Sequence, residues 1–201
     1  MVAKGLKPKI ADLGTGTGAI ALALLHECPE AEALGIDISE DALKTATGNA
    51  ERNGLGSRFR TRSGPWFDQT PERFDVIVSN PPYIRSDVVA GLEPEVTKFD
   101  PMAALDGGSD GLDALSRHCR ASGRTSRSSR PYRSRNRFRQ RHDVTQIFEQ
   151  SGFSLIEERR DYGDNDRVSR VCRESLISPF AAAAKDNCRK ARKRLGFPDE
   201  A

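Results

Sequence analysis

Lys9-Ile10-Ala11-Asp12-Leu13-Gly14-Thr15-Gly16-Thr17-Gly18-Ala19 is the stretch on which the fold turns. A short apolar strand, Lys9 to Leu13, runs straight into five residues of which three are glycine, and a helical pattern from Ala19 to His26 follows at once. Strand, glycine-rich turn and helix in that order open a nucleotide-binding βαβ unit. Glycines allow the tight turn and let a ligand lie against bare backbone, where the N–H groups at a helix start can donate. Gly14, Thr15, Gly16, Thr17 and Gly18 are therefore the first candidate binding residues.

Pro29 stops the helix, and residues 31 to 38 form a second strand with Asp37 near its end. An acid about 20 positions beyond the glycine turn stands where a doubly wound fold places the acceptor for ribose hydroxyls. Ser39 then caps a helix with Glu40 and Asp41 in its first turn, and Gly54 closes it. A more polar third strand is expected over 57 to 63, followed by a turn that carries Trp66, the only tryptophan, which could lie flat against an adenine or pack in the core. The run Phe74 to Ser79 is apolar on both faces, as a central parallel strand must be.

That strand delivers Asn80-Pro81-Pro82-Tyr83. Both prolines lack an N–H and fix φ, and each pushes its predecessor toward extended geometry, so Asn80 and Tyr83 stand on a stiff bend. Ligands of open α/β sheets bind at this carboxyl edge, and a stiff bend suits a site that holds a flat polar group. Residues from Tyr83 to Asp110, rich in proline and glycine, would cover the site.

Composition separates the chain into unlike parts. Its 201 residues suffice for one domain with a core, and the net charge of +3 hides a segregation: residues 117–141 hold ten arginines and no acid, and a second basic run ends the chain. The remainder is net acidic, which weighs against broad nucleic-acid binding by the core's own surface. The expected organisation is a catalytic domain over 1–172 and a basic tail over 173–201. Between Arg117 and Arg141 the apolar residues follow neither the helical nor the strand period, so irregular structure is expected there. A helix from His142 and a strand from Phe153 resume afterwards.

The four cysteines form no C-x-x-C pair and the three histidines show no metal-ligand spacing, so neither a disulfide framework nor a metal is indicated. No signal peptide and no apolar run of about 20 residues is visible, and a cytoplasmic protein without membrane contact is expected.

Together, Asp12 to Gly18, Gly35-Ile36-Asp37, Trp66-Phe67, Val78 to Ile84 and Asp161 to Val168 resemble the HemK-type methyltransferases that modify glutamine in peptide-chain release factors. The resemblance covers residues 8 to about 115, then about 142 to 168. It implies a Rossmann-like class I sheet with helices on both faces, S-adenosylmethionine as cofactor and release factors as partners. It further implies that Gly14 to Gly18 hold the methionine part, Asp37 the ribose and Trp66 the adenine region, while Asn80, Pro81, Pro82 and Tyr83 hold the acceptor amide, with Asn80 bridging cofactor and substrate.

Two departures from the family stand out. A helical domain precedes the glycine motif in the family, whereas about eight residues precede the first strand here. The family's apolar fifth strand falls where this chain has its arginine-serine run, so a disrupted central strand is expected, caused by a reading-frame shift between about Ser116 and Arg141. A second shift near Ser169 would dissolve the final strand. Methylation of an RNA or DNA amine, with Arg117 to Arg141 on phosphates, and a non-catalytic RNA-binding protein remain the alternative readings.

Overall fold

The structure, a computed structural model, describes residues 7–65, 72–99, 101–125, 132–135, 141–160 and 166–173. Among them one seven-stranded sheet dominates, built from β1 (Lys9–Leu13), β2 (Glu32–Asp37), β3 (Phe59–Ser63), β4 (Val76–Ser79), β5 (Tyr132–Arg135), β6 (Phe153–Arg160) and β7 (Asp166–Arg173). The order is β3-β2-β1-β4-β5-β7-β6, with the first five strands parallel and β7 antiparallel to both its neighbours. The reversal of strand order beside β1 opens a crevice at the carboxyl ends of β1 and β4, where such sheets bind ligands.

The helices are α1 (Ala19–Glu27), α2 (Glu40–Arg52), three short ones, α3 (Ser86–Val89), α4 (Pro94–Phe99) and α5 (Met102–Leu105), and then α6 (Asp113–Thr125) and α7 (Arg141–Gln150). Alternation along the strands divides the core in two. Ile10, Ala33 and Val78 pack with Ala21, Leu22 and Leu25 of α1 and Ala46 and Ala50 of α2. Ala11, Leu13, Leu34, Ile36 and Ile77 face the other way, onto Leu115 and Cys119 of α6 and Val144 and Phe148 of α7. Burial on both faces is what β4 looked like in sequence, and β1 and β2 share it.

Local signals act as expected. Ser39 Oγ accepts from the Ala42 N–H at 3.2 Å to cap α2, and Gly54 beyond its end has φ 68°. Phe148 of α7 meets Phe153 of β6 edge to face, ring centres 6.1 Å apart.

Three expectations fail. A helix does run through the start of the arginine-rich stretch: α6 extends to Thr125, and Ala114, Leu115, His118 and Cys119 are buried along one side of it. Its apolar face begins at Leu112, ahead of the first arginine, so a reading that starts at Arg117 cuts the stripe in two. The fifth strand is present as well. Main-chain groups of Tyr132–Arg135 pair with β4 on one side and β7 on the other, and that ladder needs no apolar side chain. Nor does the last strand dissolve at Ser169, because β7 continues to Arg173. Residues 174–201, the greater part of the expected basic tail, lie outside the described residues.

Candidate active site

Register brings the candidate residues to one level. Leu13 pairs with Ile36 on one side and with Ser79 on the other. The residues next in the chain, Asp37, Gly14 and Asn80, therefore leave three neighbouring strands side by side at the carboxyl edge, about 5 Å from one strand to the next. The buried Ser79 hydroxyl donates to the Leu13 carbonyl at 2.8 Å and ties the two central strand ends together.

The glycine turn is hooked onto β2. Gly14 and Thr15 N–H groups both donate to the Ile36 carbonyl, at 2.9 and 3.1 Å, and Gly18 N–H donates back to Thr15 O at 2.9 Å. Gly14, Gly16 and Gly18 have φ of 66, 55 and 83°, values that side-chain-bearing residues adopt at a cost. A Cβ on Gly16 would meet nothing within 4 Å, so open space lies against this backbone. Gly35 serves the turn from beneath: a Cβ there would stand 2.9 Å from both Thr15 and the Phe59 ring, and its absence lets Thr15 bury itself. Asn49 of α2 donates to the Thr17 carbonyl at 2.8 Å.

Asp37 does more than its position suggested. One carboxylate oxygen accepts from Gly16 N–H at 2.8 Å and the other from Ser39 N–H at 3.0 Å, so it braces the turn and starts α2. Each oxygen keeps a second acceptor position, which is what ribose hydroxyls need.

Asp12 opens the glycine motif in sequence with no evident role, and the structure gives it one. Buried at the end of β1, its Oδ2 accepts from the Thr15 hydroxyl at 2.9 Å and the Ala21 N–H at 3.2 Å. Its Oδ1 is buried with no hydrogen-bond partner among the described residues. Burial pushes its carboxyl from 3.8 up to about 6, with the Asp37 charge adding to the rise and the two donors opposing it. Ile38, next to Asp37, is 61% exposed, an apolar side chain at the carboxyl edge where a flat ring could rest. An isoleucine directly after the strand-ending acid was the signal for it.

Asn80 is exposed, Pro81 buried, and Pro82 and Tyr83 half-buried. Trp66 and Asp161 to Asn165 lie outside the described residues, as do most side chains of residues 117–141, so the adenine contact and the phosphate contacts expected there have no structural description. No helix among the described residues is long and apolar enough to cross a membrane.

Two carboxylates beside a bare, glycine-lined turn suit a ligand that carries positive charge and vicinal hydroxyls. Residues 1–92 match the methyltransferase small domain family. A release factor glutamine methyltransferase of Agrobacterium fabrum is 56% identical over 160 residues, which cover 80% of this chain and 55% of that protein. Over most of its own length the chain is similar to release factor glutamine methyltransferases.

A second enzyme of that name, from Caulobacter vibrioides, is 37% identical over 84% of this chain and 58% of its own length. This chain thus spans a little over half the length of these two relatives. In fold it is similar to a ribosomal protein L11 methylase of Lactobacillus delbrueckii, with TM-score 0.63 and 17% identity over 85% of this chain and 72% of that one. It is also similar to a magnesium protoporphyrin IX methyltransferase of Synechocystis solved with bound S-adenosylmethionine, at TM-score 0.56 and 15% identity over 84% and 71%. These likenesses show the class I methyltransferase fold.

Proposed function

We propose that this chain transfers a methyl group from S-adenosylmethionine to the side-chain amide nitrogen of a glutamine in peptide-chain release factors. The observation that carries the proposal is the register that sets Asp37, the glycine turn and Asn80 level on adjacent strands. Cofactor cradle and acceptor clamp are then neighbours. The names of the relatives at 56% and 37% identity support the choice of acceptor.

The bound cofactor would supply an electrophilic methyl on a cationic sulfur. Gly14 to Gly18 would hold its amino-acid part against backbone, Asp37 would accept from the ribose hydroxyls, and Ile38 and Trp66 would flank the base. Asp12 would add negative charge beneath the turn. The acceptor poses the harder problem, because an amide nitrogen shares its lone pair with its carbonyl and is a poor nucleophile. The Asn80 side-chain oxygen and the Pro81 carbonyl would each accept one amide hydrogen, fixing the nitrogen in line and stabilising the positive charge that grows on it. Tyr83 would wall the planar group. Transfer to this nitrogen would leave the electron pair of the broken carbon–sulfur bond on sulfur, and the methylated amide would give up its extra proton to water. No general base is required before transfer.

Asn80→Ala tests this. Methylation of purified release factor, followed by mass spectrometry of the modified glutamine, is expected to fall by about 10²- to 10³-fold in kcat, the scale of losing one well-placed polar contact in a transition state. S-adenosylmethionine binding in calorimetry should weaken by far less than kcat falls. Unchanged kcat with only a raised KM would overturn the clamp, and preferential, salt-sensitive methylation of RNA or DNA would replace the acceptor.

A further inference from the structure

We infer that Asp106, 26 residues beyond Asn80 in the chain, is a positioning residue for the acceptor loop: with Ser86 and the backbone of Gly107 and Gly108 it latches the outgoing end of Asn80 to Tyr83. The inference rests on the proposed amide-methylating role of that loop.

The incoming end of the loop is fixed by β4 and by the Ser79 hydroxyl. Pro81 and Pro82 stiffen the loop itself, yet a stiff segment anchored at one end still swings as a unit. The structure anchors the other end. Ile84 and Asp106 form a parallel β-bridge outside the main sheet. Ile84 N–H donates to Leu105 O at 3.1 Å, and Gly107 N–H donates to Ile84 O at 2.7 Å. Two residues further on in each segment, Ser86 N–H donates to Gly108 O at 3.0 Å.

The Asp106 side chain closes this arrangement. Its Oδ1 accepts from the Ser86 hydroxyl at 2.7 Å and from the Gly108 N–H at 2.9 Å, joining both strands of the bridge through one atom. Those two donors hold its carboxyl below the usual carboxylate range, so it is ionised wherever the protein is folded near neutrality.

Gly107 and Gly108 show why the sequence here is Asp-Gly-Gly. A Cβ on Gly107 would stand 2.8 Å from the Pro82 carbonyl oxygen, so only bare backbone can approach the acceptor loop this closely. Gly108 has φ 92° and a Cβ there would collide with the Asp113 carboxylate. Asp113 N–H in turn donates to Gly107 O at 3.0 Å at the start of α6, and the adjoining Leu112 and Leu115 are buried in the core. Support for Pro82 and Tyr83 thus runs from the core through α6, Gly107 and Asp106 to Ile84.

Hydrogen exchange and kinetics on Asp106→Ala, Asp106→Asn and Ser86→Ala test the latch. Asp106→Ala should speed amide exchange over residues 80–90 by at least about tenfold while residues 9–27 exchange as in wild type, and kcat should fall by about 10- to 100-fold, the cost of a roughly 1 Å misplacement. The KM for S-adenosylmethionine should stay within about twofold. Asp106→Asn keeps an acceptor oxygen and should recover most of both; Ser86→Ala, which removes one donor at an exposed position, should show the same pattern more weakly and serves if Asp106→Ala fails to fold. Exchange that is unchanged, that rises equally in both segments, or that rises without loss of kcat overturns the latch. If wild type itself methylates no release factor, the proposed function falls, while the exchange comparison still decides whether Asp106 holds the loop.

Discussion

The glycine turn and the Asn80 loop leave adjacent strands at the same level, but they are held in place by opposite means. Every contact described for the turn comes from within about one βαβ unit: the Ile36 carbonyl, the Asp37 carboxylate, Asn49 of α2 and the space left by Gly35. The Asn80 loop is held by Leu13 on one side and by Asp106 to Gly108 on the other. The glycine turn is assembled from the βαβ unit it opens and the helix after it, whereas the Asn80 loop is tied at one end across 66 residues to β1 and at the other to the loop that follows it.

The strongest way to sharpen this difference is to titrate the turn's own buried charge. Asp12 holds its proton to about pH 6 in the fold against 3.8 ordinarily, so between those values the folded protein binds a proton that the unfolded chain has released. Stability from this group is therefore greatest below 3.8, falls as pH rises to 6 and is level above it, by about 3 kcal/mol in all. Urea unfolding of wild type and Asp12→Asn between about pH 4 and 7 should show this fall in the difference between the two proteins. A difference independent of pH would mean that Asp12 is already ionised.

Gly35→Ala attacks the turn from beneath and should cost about 1 to 3 kcal/mol of stability, because Thr15 and Phe59 must both give way. If the two loops are held independently, cofactor affinity should drop with it while amide exchange over residues 80–90 keeps its wild-type rate. A matching rise there would break the comparison.

The smallest effect concerns the sheet beyond Asn80. The register sets Arg133 of β5 directly opposite Arg170 of β7 and beside Val78 of β4. Arg133 stands in a strand paired on both sides, where β-branched residues are favoured over arginine, so Arg133→Val should raise stability by up to about 1 kcal/mol, read as a shift in the urea midpoint. The same arginine-serine stretch motivates translating its coding DNA in the other two frames, where an apolar strand in place of Tyr132 to Arg135 is the expected outcome.

Much of the first four strands could be read directly. Glycine punctuation, the Ser39 cap and continuous apolar strands are local features, and the chain forms what they specify. Asn80 to Tyr83 was equally visible as a stiff bend, because both prolines fix φ; it pointed to a site only in company with the glycine turn and Asp37, since prolines commonly end strands. The course of α6 was misread because its apolar stripe spans the point where composition changes. β5 was missed because backbone pairing, not side-chain pattern, places it between β4 and β7. Asp106 looked like one acid in a glycine-rich loop, and nothing beside it in the chain points to Ser86 or Ile84 as its neighbours.

The sequence alone determined the order of the first four strands and two helices, the glycine turn, the acid beyond it and the stiff bend from Asn80 to Tyr83, because each rests on residues close together in the chain whose φ, ψ and hydrogen-bonding preferences are intrinsic. Only the tertiary structure decided that Asp37, Gly14 and Asn80 stand level, that Asp12 is a buried carboxyl group and that Asp106 joins the segment after Tyr83 to Gly108. Register, burial and contacts between segments far apart in the chain are properties of the packed sheet, and no segment possesses them by itself.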